Sequence, residues 1–581
     1  MEKDMEKGQI FNIEIEDMSS EGQGIGRAEG LVVFVPGVVV GDRAKVELTK
    51  VKKNYAFSKL LEITKASESR NDIFDCAFFD KGCGGCPYGK LSYQAQLRLK
   101  ERQVKEKLRR LGEIDTPVVR SIIGMDDDDN GGFGCYRYRN KASFPVSTGG
   151  IITRKGGIVE NLGQPAVGFF RAKSHEVVDC EDCYLQSMAA MAAADALRRF
   201  MEEDNITAWD PKWEKGLLRH LIVKTAFSTG EVMVILVING KGIPNISKLI
   251  EMLDDAIYEV GYSLESVVLN IKRSVLDKGE AKNGNAKRRK KSGRDSGCDI
   301  DKNEMISIRG EIMGDENIIV AGKPVIVDRI GGLKFEISPS SFYQVNPVQV
   351  KRLYDKVREY CGFAPVGDRS CAEGENKPII LDIYCGVGTI GLYCADEADA
   401  VVGIESVKEA VINANRNAVI NSIVNARYIC GKAEDILPQY INVNSYDGDG
   451  DGLPNECETP GKKGRTYEKN GPDEIDEEIA EMIKNTEIAI LDPPRAGCKP
   501  ELLEAVAAAG VERIVYVSCD PATLARDIKL LSELGYEFAE ATPVDMFPHT
   551  AAVEVVSLLS RIKSSDKVEV KMDIEDGEVT P

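Results

Sequence analysis

IILDIYCGVGTIGL, residues 379–392, is the stretch that decides the fold. A short apolar run suited to a buried strand leads into Gly386, Gly388 and Gly391, in a G-x-G-x-x-G spacing. Glycines in that spacing let the chain turn sharply and bring its backbone close to a ligand at the N-terminus of the next helix. Outward from this turn, the segments AVVGIES, IAILDPP and RIVYVSC repeat the short apolar strand between helix-length stretches, from about residue 345 onward. Strands alternating with helices in this way predict a parallel sheet with helices on both faces.

The rest of the chain reads differently. Residues 8–64 alternate apolar and polar positions between glycine turns, which predicts a small all-β barrel, assigned to residues 1–66. Such barrels are common nucleic-acid platforms. A central domain, residues 67–335, opens with a cysteine cluster and a helix from about Leu91 to Leu111. Leu97, Val104, Leu108 and Leu111 share one face of that helix, and Arg98, Lys105 and Arg109 the other, either as a solvated surface or as an RNA contact. From 135 to 335 the pattern is mostly β, with one helix near 185–203. Residues 276–304 are polar and lysine-rich without periodicity and read as a disordered insertion. The C-terminal domain is assigned to 336–562, with an acidic insertion at 441–478, and 563–581 reads as a disordered tail.

The chain's 581 residues are enough for several compact units. Its net charge of −19 argues against a protein that simply coats nucleic acid. The acid is concentrated in the insertions and the tail, which leaves local basic surface free to bind RNA. No apolar stretch approaches the length of a membrane span, and the charged start MEKDMEKGQ lacks a signal core, so a cytoplasmic location is expected. In that reducing setting the fifteen cysteines are free thiols, metal or cluster ligands, or nucleophiles.

Two segments follow late strands of the parallel sheet, where open α/β sheets bind ligands. LDPPRAGC carries Asp492, and IVYVSCDPATLARD puts Cys519 past a strand and before a helix starting near Pro521. A thiol in that position can be activated as thiolate. Glu405 ends the strand VVGIES, where a carboxylate can hold two ribose hydroxyls, and DMFPHTAAVE supplies His549 and Glu554. The glycine turn alone fits a nicotinamide dinucleotide as well as S-adenosylmethionine; a thiol and a carboxylate nearby favour the methyl donor.

FYQVNP (342–347), LDIYCGVGTIGL (381–392), LDPPRAG (491–497), YVSCDPATLARD (516–527) and DMFPHTAAVE (545–554) together resemble the signature segments of the RNA uracil-5-methyltransferase family. The N-terminal β unit resembles a TRAM domain, found in the ribosomal-RNA branch of that family. The resemblance spans about residues 8–562 apart from the insertions. It implies a Rossmann-like S-adenosylmethionine-dependent methyltransferase domain behind the barrel and the mostly β central domain. It further implies a 23S ribosomal RNA uridine as substrate, with Cys519 as the nucleophile that adds to C6 and Glu554 as the base that removes the C5 proton. By the same similarity Gln344, Tyr384, Gly386, Gly388, Thr389, Glu405 and Asp492 bind S-adenosylmethionine. Ala552 stands where relatives often carry histidine or another polar group, so that side chain has no role here.

DCAFFDKGCGGCPYG sets Cys76, Cys83 and Cys86 in a C-x6-C-x2-C spacing, a set of thiols that points to a metal site with a fourth ligand from elsewhere. HEVVDCEDCYLQ offers Cys180 and Cys183. Zinc and an iron–sulfur cluster both fit the spacing; similarity to the iron–sulfur branch implies a 4Fe-4S cluster on Cys76, Cys83, Cys86 and Cys183, in a structural or RNA-positioning role. The calcium-like loop Asp447–Glu458 contains Pro454 and lacks flanking helices, and reads as a flexible acidic loop. His175 and His220 read as packing histidines. RNA is the expected partner, with neither DNA nor a membrane, and a monomer is expected. The alternatives are a transfer-RNA uracil methyltransferase and a non-catalytic RNA-binding or ribosome assembly factor. A cluster-bearing oxidoreductase would leave Cys519 and Glu554 unused, and a radical S-adenosylmethionine enzyme would need C-x3-C-x2-C.

Overall fold

Alternation of inward apolar and outward polar residues builds the N-terminal barrel. Strands β1 (Ile10–Met18), β2 (Gly24–Ala28), β3 (Leu31–Val35), β4 (Arg43–Val51) and β5 (Tyr55–Lys65) close in the order β1-β2-β3-β5-β4. Ile13, Ile15, Val33, Val46 and Leu48 fill the interior, and closure leaves no open sheet edge. The computed structural model describes residues 5–150 (apart from 72, 73 and 75), 161–273, 312–364, 377–441 and 476–562. The 276–304 insertion, the Asp447–Glu458 loop and the tail from 563 lie outside the described residues; of the 441–478 insertion, only its two ends lie inside them.

Helix α1 (Tyr93–Leu111) packs against the C-terminal domain, where Val104 and Leu108 join that domain's core. Leu111, on the apolar face by periodicity, lies at the helix end and is 50% exposed. The basic face is divided. Arg109 and Arg110 share Glu106, and Arg102 reaches Asp17 on the barrel. Lys100 is fully buried against Asp545 at 2.6 Å.

The central sheet has seven strands: β6 (Lys141–Gly150), β7 (Asn161–Phe170), β8 (Val177–Asp179), β9 (Leu218–Thr225), β10 (Glu231–Ile238), β11 (Ser263–Ile271) and β12 (Glu316–Gly322). Their order is β12-β11-β10-β9-β6-β7-β8. Two helices, α2 (Met188–Glu203) and α3 (Ile246–Glu259), cover one face. The sequence reading expected only the first of them. Leu249, Leu253, Ala256 and Ile257 give α3 its buried stripe, a helical period hidden between two strongly apolar strands. The opposite face, with Ile222, Met233, Ile235 and Val268, shares a core with the hairpin β13 (Ile326–Ile330) and β14 (Leu333–Ile337) and with the C-terminal domain.

That last domain carries β15 (Ile379–Ile383), β16 (Ala400–Glu405), β17 (Ala426–Cys430), β18 (Thr486–Leu491), β19 (Arg513–Ser518), β20 (Tyr536–Val544) and β21 (Glu554–Arg561). They run in the order β17-β16-β15-β18-β19-β21-β20, parallel except for β21, which is antiparallel to both neighbours. Its helices are α4 (Pro347–Cys361), α5 (Thr389–Cys394), α6 (Lys408–Ile420), α7 (Ala433–Ile441), α8 (Glu477–Lys484), α9 (Pro500–Ala508) and α10 (Pro521–Glu533). Strand order reverses between β15 and β18, which opens a crevice at their carboxyl ends. No described helix is long and apolar enough to cross a membrane.

Candidate active site

The glycine turn, Glu405, Asp492, Cys519 and Glu554 lie at one end of the C-terminal sheet. The glycine turn follows β15, Glu405 ends β16, Asp492 follows β18 and Cys519 follows β19. Glu554 reaches the same end from the other direction, because β21 is antiparallel and begins there.

The turn after β15 is held in a conformation few side chains would tolerate. Tyr384, Gly386 and Gly388 all have positive φ, at 64°, 57° and 78°. A Cβ on Gly388 would sit 2.4 Å from the Tyr428 hydroxyl, so glycine is required there by space as well as by φ. Gly386 N–H donates to Glu405 at 3.1 Å, and Val407 N–H to the other carboxylate oxygen at 2.7 Å, fixing that side chain beside the turn. A pocket brings together Gln344, Tyr384, Gly386, Thr389 and Asp492, five of the seven residues predicted for the cofactor. The other two, Gly388 and Glu405, adjoin it through the same turn. Thr389 is oriented by the Tyr354 hydroxyl at 2.8 Å, and the Gln344 carbonyl accepts from Asn140 of the central domain at 2.8 Å.

The loops bearing Asp492 and Cys519 are cross-tied. Asp527 of α10 accepts from Cys498 N–H at 2.8 Å and from the Tyr516 hydroxyl at 2.6 Å. Arg526 donates to the Ala496 carbonyl at 2.9 Å. Cys519 itself sits in a turn where Asp520 N–H donates to Ser518 Oγ and Asp520 caps α10 through Ala522 N–H at 2.8 Å. Pro521 occupies the first helical turn.

Burial pushes the Cys519 thiol up to about 11, with the Glu554 charge adding and Arg495 opposing. Burial raises Glu554 to about 8, with Asp492 adding. Asp492 and Asp382 are each raised to about 7, again by burial. Asp382, fully buried at the end of β15, was missed in the sequence reading. Its Oδ2 accepts from Gly391 N–H at 2.9 Å, while Oδ1 has no hydrogen-bond partner.

The central domain brings its thiols together as well. Cys76, Cys83, Cys86, Cys180 and Cys183 line one cavity of about 450 Å³, with Arg139 and Lys141 on its wall. Among the described residues, no three Cys, His, Asp or Glu side chains converge closely enough to hold a single ion. Cys180 lies in the hydrophobic core and donates to the Asp182 carbonyl at 3.2 Å. Of the packing histidines, His175 meets Phe170 edge-on, whereas the His220 Nδ1 is buried without a partner and burial lowers that ring to about 4.

A sheet of this order, with a glycine turn at its switch point and one antiparallel strand near its edge, has the Rossmann-like architecture of an S-adenosylmethionine-dependent methyltransferase. Residues 4–61 match the TRAM domain model, and residues 477–562 match the tRNA (Uracil-5-)-methyltransferase model. An uncharacterized RNA methyltransferase of Caldanaerobacter subterraneus subsp. tengcongensis is 36% identical over 96% of this chain and 99% of its own length. Another, from Clostridium tetani, is 34% identical over 96% and 98%. Among solved structures, the tRNA (uracil-54, C5)-methyltransferase of Pyrococcus abyssi, in complex with S-adenosyl-L-homocysteine, shares the fold. Its TM-score is 0.60 at 24% identity, covering 94% of this chain and 100% of that one. The chain belongs to the RNA uracil-5-methyltransferase family, in the group that carries a TRAM domain.

The raised Glu554 carboxyl has a stability consequence. A carboxyl near 4.5 when unfolded and near 8 when folded contributes stability that is full below pH 4.5 and lost as pH rises through 8. Glu554→Gln removes this penalty. Its unfolding midpoint relative to wild type is therefore expected to rise from pH 5 to pH 8.5 in parallel denaturation series. A difference that stays flat across that range contradicts the buried, neutral carboxyl.

Proposed function

We propose that the enzyme methylates C5 of a uridine in RNA through a covalent adduct at Cys519, with 23S ribosomal RNA as the substrate. The observation that carries this reading is the convergence of the Cys519 turn, Glu554 and the glycine turn at one end of the sheet. C5 of uracil is too weak a nucleophile to take a methyl group unaided. Cys519 Sγ adds to C6, the C5–C6 double bond opens, and the electron pair becomes available at C5. Bound S-adenosylmethionine supplies the methyl group and leaves as S-adenosylhomocysteine. Glu554 takes the C5 proton, the C5–C6 double bond re-forms, and the C6–Sγ bond breaks to return the thiolate.

Gln344, Tyr384, Gly386, Gly388, Thr389, Glu405 and Asp492 hold the methyl donor in this reading. Charge supports the assignment: Asp382, Glu405 and Asp492 surround the turn, and the donor's sulfonium and ammonium are cationic. A base stacked in a helix cannot reach Cys519, so the target uridine is unstacked or flipped. The TRAM barrel and the similarity to its ribosomal branch favour ribosomal RNA, and transfer RNA is the alternative substrate.

A 4Fe-4S cluster on Cys76, Cys83, Cys86 and Cys183 completes the reading. Support comes from four thiols lining one cavity of about 450 Å³, which has room for a multi-atom group. Methyl transfer requires no electrons, so the cluster's role is structural or RNA-positioning.

Tritiated-methyl S-adenosylmethionine and unmodified ribosomal RNA are expected to give labelled 5-methyluridine, lost in Cys519→Ala. The initial rate is expected to climb from pH 7 to pH 9 as Glu554 ionises near 8. Label on transfer RNA alone would move the substrate, and label on neither RNA would leave a binding factor. For the cluster, anaerobically purified protein is expected to carry iron and acid-labile sulfide, both lost in Cys183→Ser. Stoichiometric zinc without sulfide would replace the cluster with a zinc site.

A further inference from the structure

The connection between β20 and β21, residues 545–553, leads directly into Glu554, and five successive carbonyls in it are each held from elsewhere in the chain. The Asp545 carbonyl accepts from Gln349 at 3.2 Å and that of Met546 from Asn346 at 3.3 Å, both from the start of α4. The Phe547 carbonyl accepts from Lys100 Nζ at 3.0 Å, and that of Pro548 from the Tyr138 hydroxyl at 3.1 Å. The His549 carbonyl accepts from Tyr88 N–H at 3.0 Å. A loop whose backbone is satisfied in this way by separate elements has little freedom to move by itself.

His549 is the most constrained residue in it. Its φ is +66°, and it is 1% exposed. Its N–H donates to Gln96 Oε1 at 2.8 Å, and Gln96 Nε2 lies 3.2 Å from ring Nδ1. With Nδ1 accepting, the ring proton sits on Nε2, which faces Cys135 Sγ at 3.4 Å. The ring stacks on Tyr136 at 4.7 Å and on Phe74 at 5.7 Å. Phe74 and Cys86 line the thiol cavity, and Tyr88 follows Cys86 by two residues. The wall of that cavity and the approach to Glu554 therefore meet on one side chain.

At the far end, Val544 and Glu554 are directly paired in the β20–β21 ladder. A shift of the connection is thus a shift of the Glu554 carboxylate. The Cys519 turn is held by Ser518 and Asp520, by Asp527 through Tyr516 of β19, and by the pairing of Ser518 with Val555 in the β19–β21 ladder. None of those bonds involves residues 545–549.

We propose that His549 is a positioning residue for the base: with Tyr138 and the Lys100–Asp545 pair it locks residues 545–549, and so ties the pose of Glu554 to the wall of the cysteine-lined cavity. The inference rests on Glu554 being the group that takes the C5 proton. It predicts that disturbing the lock slows proton removal and elimination, and leaves C6 addition and methyl transfer intact. A methylated adduct then accumulates, with C6 bonded to Cys519 Sγ, C5 carrying both methyl and hydrogen, and the C5 proton awaiting its acceptor.

The test uses full-length His549→Asn, which tolerates positive φ, and Tyr138→Phe, which removes one hydroxyl with little change of volume. Each is assayed with RNA carrying protium or deuterium at uridine C5, alongside wild type and Glu554→Gln. S-adenosylhomocysteine affinity is measured as a check on the fold. For His549→Asn, kcat is expected to fall roughly tenfold with KM for RNA within about twofold of wild type. A deuterium isotope effect on kcat is expected to emerge, together with a protein–RNA adduct that survives denaturant; Tyr138→Phe is expected to show the same pattern more weakly. If Glu554→Gln accumulates adduct and neither His549→Asn nor Tyr138→Phe does, the positioning inference fails while the assignment of the base stands. If Glu554→Gln itself turns over with no adduct and no isotope effect, the base assignment fails and this inference falls with it.

Discussion

One fully buried ion pair, Lys100 with Asp545 at 2.6 Å, joins a helix from the first fifth of the chain to the loop that precedes Glu554. Breaking such a pair by removing one partner leaves an uncompensated charge in the interior, at a cost of about 3–5 kcal/mol. Burial lowers Lys100, and its ion pair and hydrogen bond with Asp545 oppose that effect. The arrangement makes the C-terminal sheet dependent on sequence hundreds of residues upstream. Val104 and Leu108 of α1 complete its core, and isolated bridges from Val119 to Ala541 and from Ile123 to Val544 extend its edge. The methyltransferase sheet is therefore finished by the segment that follows the barrel and the cysteine cluster.

Burial also sets the electrostatics of the site. Loss of solvent pushes each of three carboxyls, Asp382, Asp492 and Glu554, toward neutrality, and Asp492 adds to the rise at both Asp382 and Glu554. A cationic methyl donor bound among them would favour their ionised forms, which would couple donor binding to ionisation of Glu554. Arg495 is the cation that opposes the rise at both Cys519 and Glu554. It sits on the exposed part of the LDPPRAG loop, where RNA can approach it.

Much of this was legible in the sequence, because the turn after β15 leaves a local imprint: glycines appear where φ is positive and where a Cβ would strike Tyr428. The strand ends bearing Glu405, Asp492 and Cys519 were readable for the same reason, as each follows a short apolar run. Helix α3 escaped notice although Leu249, Leu253, Ala256 and Ile257 recur at helical spacing, because it stands between two strongly apolar strands in a region whose pattern is otherwise β. Lys100 was illegible in another way. It stands in a run of basic residues that looks like a solvated face, and only the fold reveals that this one charge points inward to Asp545. The carbonyl contacts of residues 545–549 leave no pattern at all, since a backbone acceptor has no sequence signature. Asp382 could have been suspected as a carboxylate inside an otherwise apolar strand.

The proposed catalysis turns on one covalent bond. Incubating Glu554→Gln with S-adenosylmethionine and ribosomal RNA, digesting with nuclease and trypsin, and weighing the peptides tests it directly. The tryptic peptide spanning residues 514–526 is expected to carry a methylated uridine nucleotide on Cys519. An adduct on another residue, or an unmodified peptide from protein that has produced 5-methyluridine at the wild-type rate, would contradict it.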